Sequence, residues 1–389
     1  MILADRLERL GTETAFDVLA RAQKLKDAGQ DIINLGIGQP DFATPETIVE
    51  AAVKALRDGH HGYTPANGIL PLRQAVAADM AKRRNIEIDP ERIVIVPGGK
   101  VTMYFAITMF GKAGAEIMYP DPGFPIYRSV IEFCGAKAVP IPLYEESGFS
   151  FSADEVLGKI TDRTRLIIVN SPANPTGGVV PKAELDKLVA GLADHPEVAI
   201  MSDEIYARMV YDGVPHASLT AYPEIEDRLI LLDGWSKTYA MTGWRLGWAV
   251  WPKDLAQIAT RLAINIHSCV NAATQYAGIE ALTGPQDPVD AMVKAFDQRR
   301  AVIVERLNAL PDVRCQRPGG AFYAFPNIEG TGYKAGDLQE RLLTETGVAV
   351  ISGTSFGIQG EGYLRFSYAN SVENIERAID RIGDFLGRV

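Results

Sequence analysis

Short runs rich in apolar and β-branched residues recur between residues 45 and 280, separated by stretches of helical length. The runs are 93–96 (IVIV), 115–119 (AEIMY), 165–169 (RLIIV), 197–201 (EVAIM) and 228–232 (RLILL), and segments 100–110, 124–134 and 181–194 have helical spacing. Strands alternating with helices predict a mostly parallel sheet covered by helices on both faces, and near-continuous apolar runs fit strands buried on both sides. The expected fold class is therefore α/β. In such a sheet ligands sit beyond the carboxyl ends of the strands, so the loops after these runs are where chemistry is expected.

After residue 284 the pattern changes. Gly284-Pro285 and Pro288 make a break, a charged helix is predicted over 288–309, short strands over 320–326, 347–351 and 362–368, and a closing helix over 371–387. This reads as a smaller α+β unit. The N-terminal stripe Ala15, Val18, Leu19, Ala22 and Leu25 predicts a helix over 13–28, ending near Gly29, that packs with it. The expected division is a large domain over 45–284 and a small one formed by 1–44 and 285–389.

Charge and cysteine usage narrow the partners and the compartment. The 39 Lys+Arg against 49 Asp+Glu give a net charge of −10, which argues against a nucleic-acid backbone but leaves room for a local site that holds a small anion. Cys134, Cys269 and Cys315 are widely spaced and form no Cys-x-x-Cys pair, so neither a disulfide framework nor a bound metal is expected. They read as buried free thiols in a reducing compartment. Residues 1–30 mix charges throughout and lack the apolar core of a signal peptide, and no apolar run approaches the roughly 18 residues of a membrane span. A cytoplasmic protein without a membrane partner is expected.

Four strand-end loops carry polar groups. Pro97-Gly98-Gly99-Lys100 opens a helix, and two glycines there free backbone amides to face an anion, although a plain tight turn accounts for the motif taken alone. Asn170-Ser171-Pro172-Ala173-Asn174-Pro175-Thr176-Gly177-Gly178 forces an irregular backbone. Asp203 ends its run and Tyr206 follows three residues later; a carboxylate at that place is more often a helix cap than a catalyst. Lys237 lies among Trp235, Tyr239, Met241 and Trp244, with Arg245 eight residues on. Desolvation by those neighbours would lower the pKa of the amine and make it nucleophilic. Together these loops offer an anion cradle, an amide, a carboxylate with a phenol, and an amine. That set suits a cofactor bearing a phosphate, a ring nitrogen, a phenolic oxygen and an aldehyde, and pyridoxal 5′-phosphate fits all four.

At 236–247 the stretch Ser-Lys-Thr-x-x-Met-x-Gly-x-Arg-x-Gly closely resembles the lysine signature of the class I/II aminotransferases, of the fold-type I pyridoxal-phosphate family. The resemblance runs from GIGQPDF at 36–42 to YLRFSY at 363–368. It implies that Lys237 bonds the cofactor aldehyde and then serves as the general base at the substrate Cα. Asp203 would pair with the ring nitrogen, Asn174 and Tyr206 would bond the phenolic oxygen, and Phe124 would stack on the ring. Gly99 and Lys100 would present backbone amides to the phosphate, with Arg245 as its cation. Tyr63 would reach the phosphate of a neighbouring subunit, which implies a homodimer with shared sites. Arg365 would clamp the substrate α-carboxylate, helped by Asn174 and by the backbone at Ile37 and Gly38. One departure stands out: a serine common in relatives three residues before the lysine is Gly234 here, leaving Ser236 or a water to supply a hydroxyl. Two buried arginines would then suffice for the small anions this acidic chain must hold.

The activity so implied is ping-pong transfer of an amino group from an amino acid to a 2-oxo acid. A Cβ–S lyase on the same fold is the alternative. A ligand-sensing regulator would need an added DNA-binding segment, and the net charge disfavours it. Side-chain preference would be set by residues around Glu13–Phe16, by Ile37 and by segment 266–271. Aspartate with 2-oxoglutarate is the first expectation, with an aromatic or neutral amino acid close behind. Glu13, if it lines the pocket, would argue against an acidic side chain.

Overall fold

The computed structural model describes Met1 and residues 3–387. Its strands are β1 (Ile33–Asn34), β2 (Ile93–Val96), β3 (Glu116–Asp121), β4 (Lys137–Pro142), β5 (Thr164–Asn170), β6 (Ala199–Asp203), β7 (Leu229–Gly234), β8 (Gly247–Val250), β9 (Tyr323–Ala324), β10 (Val348–Ala349), β11 (Ile351–Ser352) and β12 (Leu364–Ser367). Seven of them form one sheet in the order β2-β8-β7-β6-β5-β3-β4. The neighbours β4, β3, β5, β6 and β7 run parallel, whereas β8 lies antiparallel between β7 and β2.

Each predicted run is a strand of this sheet, but four of the five extend past the apolar residues to a polar or glycine end: Asp121, Asn170, Asp203 and Gly234. Backbone pairing does not stop where hydrophobicity does, so the first polar residue is still held in the ladder. Register then sets these ends side by side, with Asn170 opposite Asp203 and Asp203 opposite Leu232. Two strands of this sheet, and β1 outside it, were not expected. β8 begins at Gly247, inside a glycine-rich segment that reads as loop, and an added Cβ at Gly247 would lie 2.7 Å from the Gly99 amide nitrogen. Only glycine lets β8 pass so close beneath the Gly98-Gly99 turn. β4 is an edge strand containing Pro140 and Pro142, which an edge tolerates because its outer N–H groups have no partner.

Helices Lys100–Phe110, Ile126–Phe133 and Lys253–His267 cover one face, and their apolar residues pack with Val94, Ile117, Ile168 and Leu232. On the other face, Glu46–Arg57, Leu70–Arg84 and Ala272–Thr283 pack with Ile93, Ile95 and Leu231, and Lys182–Gly191 packs with Ile167 and Ile200. Alternate residues of β2, β5 and β7 thus enter opposite cores, as strand geometry requires.

The remaining strands belong to the chain ends. β11, β12 and β9 form an antiparallel sheet, and β1 pairs in parallel with β10. Helices Asp287–Asn308 and Val372–Leu386 pack against them around Phe296, Phe322, Phe366 and Ile379. The run expected over 347–351 is two short strands, and that over 320–326 pairs only at Tyr323–Ala324. The N-terminal helix, Ala15–Asp27, buries Val18 and Ala22 with Ala349, Ile351 and Phe356. The three cysteines are free, but only Cys315 is buried; Cys134 and Cys269 are half-buried, contrary to expectation. Among the described residues no helix is long and apolar enough to cross a membrane.

Candidate active site

A cavity of about 520 Å³ opens where β2, β3, β5, β6 and β7 end, walled on its far side by the N-terminal segment and by Tyr323, Phe356 and Arg365. Asp203, the last residue of β6, faces it and is 2% exposed. The Tyr127 hydroxyl donates to one carboxylate oxygen at 2.6 Å, and the Ile205 N–H donates to the other at 3.2 Å. Burial pushes the Asp203 pKa up to about 6, against the pull of those two donors, and the neighbouring carboxylates of Asp233 and Glu204 push it the same way. Among the described residues no cation pairs with it. Asn170, beside Asp203 in the sheet, donates to the Asp203 carbonyl at 3.1 Å and accepts the Asn174 N–H at 3.0 Å, which fixes the irregular loop that carries Asn174.

Lys237 follows β7, and its ammonium donates to the Gly38 carbonyl. The aromatic residues around it in sequence are not the ones around it in space. Trp235, Tyr239 and Met241 pack into the core with Leu72 and Trp248, and Trp244 packs against the same cluster. The rings beside the amine are Tyr206 and Phe322, at 5.9 and 5.8 Å. Desolvation, with Arg365, Arg245 and Lys100 facing the same cavity, lowers the Lys237 pKa to about 7. The rings around the amine are therefore not those that the sequence suggested.

Arg365, on β12, is 4% exposed and, among the described residues, has no carboxylate partner. One amino group donates to Asn174 Oδ1 at 2.9 Å and the other to the Gly36 carbonyl at 2.6 Å, while Nε has no hydrogen-bond partner. The rings of Tyr323 and Phe356 lie 4.7 Å from it on either hand. Ile37 and Gly38 line the cavity next to this group, and a Cβ on Gly38 would come within 2.5 Å of the Tyr323 hydroxyl. A buried cation with spare donors and a planar fork is built to accept a carboxylate.

Gly99 caps helix Lys100–Phe110, so the unpaired N–H groups of its first turn head the cavity wall. Arg245 lies over Gly98, donating to the Thr242 carbonyl at 2.8 Å and to the Pro97 carbonyl at 3.3 Å. It lines the cavity but is exposed, which corrects the expectation of two buried arginines. The Lys100 side chain pairs with Glu13 and sits 5.3 Å from the Phe124 ring and 5.5 Å from Phe16. Glu13, Phe16 and Ile37 line the cavity, whereas segment 266–271 contributes none of its described wall. Tyr206 is buried, and its hydroxyl lies 2.8 Å from that of Tyr323.

Tyr63 stands apart, 94% exposed and away from this cavity. Gly234 is also away from the lining. It ends β7 against β8, where an added Cβ would lie 3.0 Å from Gly247 Cα, so the close strand pair itself favours glycine there. Ser236 does line the cavity. Sequence reasoning missed Tyr127, Tyr323 and Asn170. Tyr127 was legible in principle, one helical turn after Phe124 and on the same face. Asn170 was the polar end of an apolar run. Tyr323 carried no local signal.

The chain and its fold are similar to those of known proteins. The model of the family described as aminotransferase class I and II matches residues 30–382. The chain is 40% identical to the aspartate aminotransferase of Pyrococcus horikoshii, over 98% of this chain and 96% of that one. It is 38% identical to aromatic-amino-acid aminotransferase 2 of Thermococcus litoralis, over 98% and 97%. Among solved structures, the aspartate aminotransferase of Rhizobium meliloti superposes with a TM-score of 0.95 at 32% identity, covering 100% of this chain and 99% of that one. An α/β fold with a mostly parallel sheet, a lysine and a carboxylate in one cavity at its strand ends, and this similarity over the full described length lead to one conclusion: the chain belongs to the class I and II aminotransferases.

Proposed function

We propose that the cavity holds pyridoxal 5′-phosphate on Lys237 and that the chain transfers the amino group of an acidic amino acid, aspartate in the first place, to a 2-oxo acid such as 2-oxoglutarate. The observation that carries this reading is the pairing of a buried, cation-free carboxylate with an activated amine in one cavity. The donor set fits the cofactor part by part. Asp203 suits a protonated ring nitrogen, Phe124 a ring face, and Tyr206 and Asn174 a phenolic oxygen. The Gly99–Lys100 amides, Arg245 and Ser236 suit a phosphate. Bound there, the cofactor supplies an aldehyde that bonds amines and a ring that accepts the electron pair left at Cα.

The chain's own residues do the rest. Arg365 receives the substrate α-carboxylate through its free Nε, with Asn174 and the backbone at Ile37 and Gly38 fixing its direction. Lys237 Nζ, its pKa near 7, takes the proton from the substrate Cα and can return it, as a general base working near neutral pH should. Asp203 holds positive charge at the ring nitrogen. Its own burial makes it an unwilling lone anion, so a cation opposite stabilises both.

The side-chain preference rests on Lys100. It is the cation of the cavity wall that neither the α-carboxylate nor the cofactor needs as a side chain, and Glu13 holds it in the resting state. A distal substrate carboxylate can compete with Glu13 for that ammonium, whereas an aromatic side chain would leave the pair closed between Phe16 and Phe124. Glu13 is thereby a gate on an acidic pocket and not evidence against one. A homodimer belongs to the same proposal: Tyr63, 94% exposed and outside its own cavity, is left free to reach the phosphate site of a second copy. Three unpaired cysteines support a reducing, cytoplasmic location.

Three outcomes test this reading. Purified enzyme should show a visible absorbance band that Lys237→Ala abolishes together with activity; survival of either would refute the role of Lys237. Across a panel of amino donors, Lys100→Ala should raise KM for aspartate about tenfold, the worth of one charge-assisted hydrogen bond, and leave neutral donors near wild type. Equal losses for all donors would remove Lys100 from side-chain recognition, and release of pyruvate and ammonia without an acceptor would favour the lyase. Sedimentation should find a dimer; a monomer with full activity would exclude Tyr63 from the site.

A further inference from the structure

Beside Asp203, and reaching the strand that leads to Lys237, lies a buried ionic network that the mechanism above does not use. Arg84, the last residue of helix Leu70–Arg84, sends its guanidinium between the ends of β6 and β7. One amino group donates to the Glu204 carboxylate and, at 2.9 Å, to the Ser218 hydroxyl; the other donates to Asp233 Oδ2 at 2.9 Å. Glu204 is the residue after Asp203, and Asp233 is four residues before Lys237. Both carboxylates are buried, at 1% and 5% exposure. Glu204 also accepts from the Ser202 and Ser218 hydroxyls at 2.9 Å each, and His216 Nε2 lies 2.9 Å from it.

A buried ion pair is a poor device for stability alone, because desolvation cancels much of the attraction and an apolar contact would serve as well. What a forked guanidinium adds is fixed geometry and fixed charge. It grips two acceptors at once along defined directions, which a lysine cannot do. Here the two acceptors stand at the ends of adjacent strands, Glu204 just after β6 and Asp233 within β7, each close in sequence to one group of the proposed chemistry. Arg84 also sets opposite charge against two carboxylates that would otherwise bear on Asp203. Burial alone would raise the Glu204 pKa, yet Arg84 and His216 overcome it and hold it at about 2.

We propose that Arg84 is a positioning residue of the active site: by tying Glu204 to Asp233 it fixes the spacing of the strand ends that bear Asp203 and Lys237, and it neutralises the two carboxylates behind them. The inference rests on the roles proposed above for those two residues. Replacing Arg84 removes the cation that Glu204 and Asp233 share, leaving His216 beside the first and Arg83 near the second, and raises proton affinity in the cavity; replacing Glu204 by glutamine removes one of the two carboxylates and lowers it. The groups facing Lys237 directly are Arg365 on β12, Arg245 and Lys100 across the cavity, Glu13 from the N-terminal segment and Tyr206 after β6. All are the same in every variant, so a shift reads the network.

The test uses holoenzyme. The pH midpoint of its visible band reports the proton on the Lys237 nitrogen. Arg84→Met should raise that midpoint by about half a unit or more, lower kcat about tenfold or more, and leave KM for the amino donor within about threefold. Arg84→Lys should restore part of kcat, and Glu204→Gln should move the midpoint the opposite way, which keeps the test decisive if Arg84→Met does not fold. A lowered melting temperature with midpoint and kcat unchanged in these variants would reduce Arg84 to a structural staple and overturn the proposal. Absence of a Lys237-dependent band in the wild type would instead fault the proposed function.

Discussion

Asp203 is a carboxylate taken out of water with no cation set against it, and much of the site is arranged around that cost. Tyr127 and the Ile205 amide each give it one hydrogen bond, yet burial still prevails and its pKa rises to about 6. A chain that needed only to fold would place an apolar residue at the end of β6. The register of β5, β6 and β7 instead holds the carboxylate between Asn170 and Leu232 and turns it into the cavity. Arg365 repeats the pattern with opposite sign: a buried guanidinium bonded to an amide and a carbonyl, with Nε left over. Two buried charges of opposite sign thus line one cavity, and among the described residues neither has a counter-ion.

Much of this was legible in the sequence because the β-branched runs mark the parallel strands and the loops after them. The limits were physical. Apolar runs end before strands do, so the reading stopped short of Asn170, Asp203 and Gly234 as members of the ladder, although those are the residues that register aligns. Apolar neighbours in sequence misled at Lys237. Trp235 and Tyr239 turn into the core, and the desolvating rings of Tyr206 and Phe322 come from residues 31 before and 85 after it, a juxtaposition that only the fold creates. β8 was hidden because glycine has low strand preference, yet close packing of Gly247 under the Gly98-Gly99 turn requires it.

The chain ends contribute what the central sheet lacks. Glu13 and Phe16 close the cavity from one end of the sequence, and Tyr323, Phe356 and Arg365 from the other. Thr14 and Ser355 join these two walls through a 2.6 Å hydrogen bond between their hydroxyls. Asp203, Lys237 and Arg245 thus come from the middle of the chain and Glu13 and Arg365 from its ends, while Lys100, at the start of the helix after β2, meets Glu13 across the cavity.

Ionised Asp203 costs the folded chain stability, and unfolding of the cofactor-free chain measures that cost directly. Its pKa lies above the ordinary 3.8, so ionisation costs stability at pH above about 6, and the cost fades as pH falls toward 4. Denaturant unfolding of wild type and Asp203→Asn should therefore find the variant more stable by roughly 1–3 kcal/mol at pH 8, with the gap closing near pH 4. A variant that is less stable than wild type at pH 8, or a gap that does not change with pH, would contradict the account.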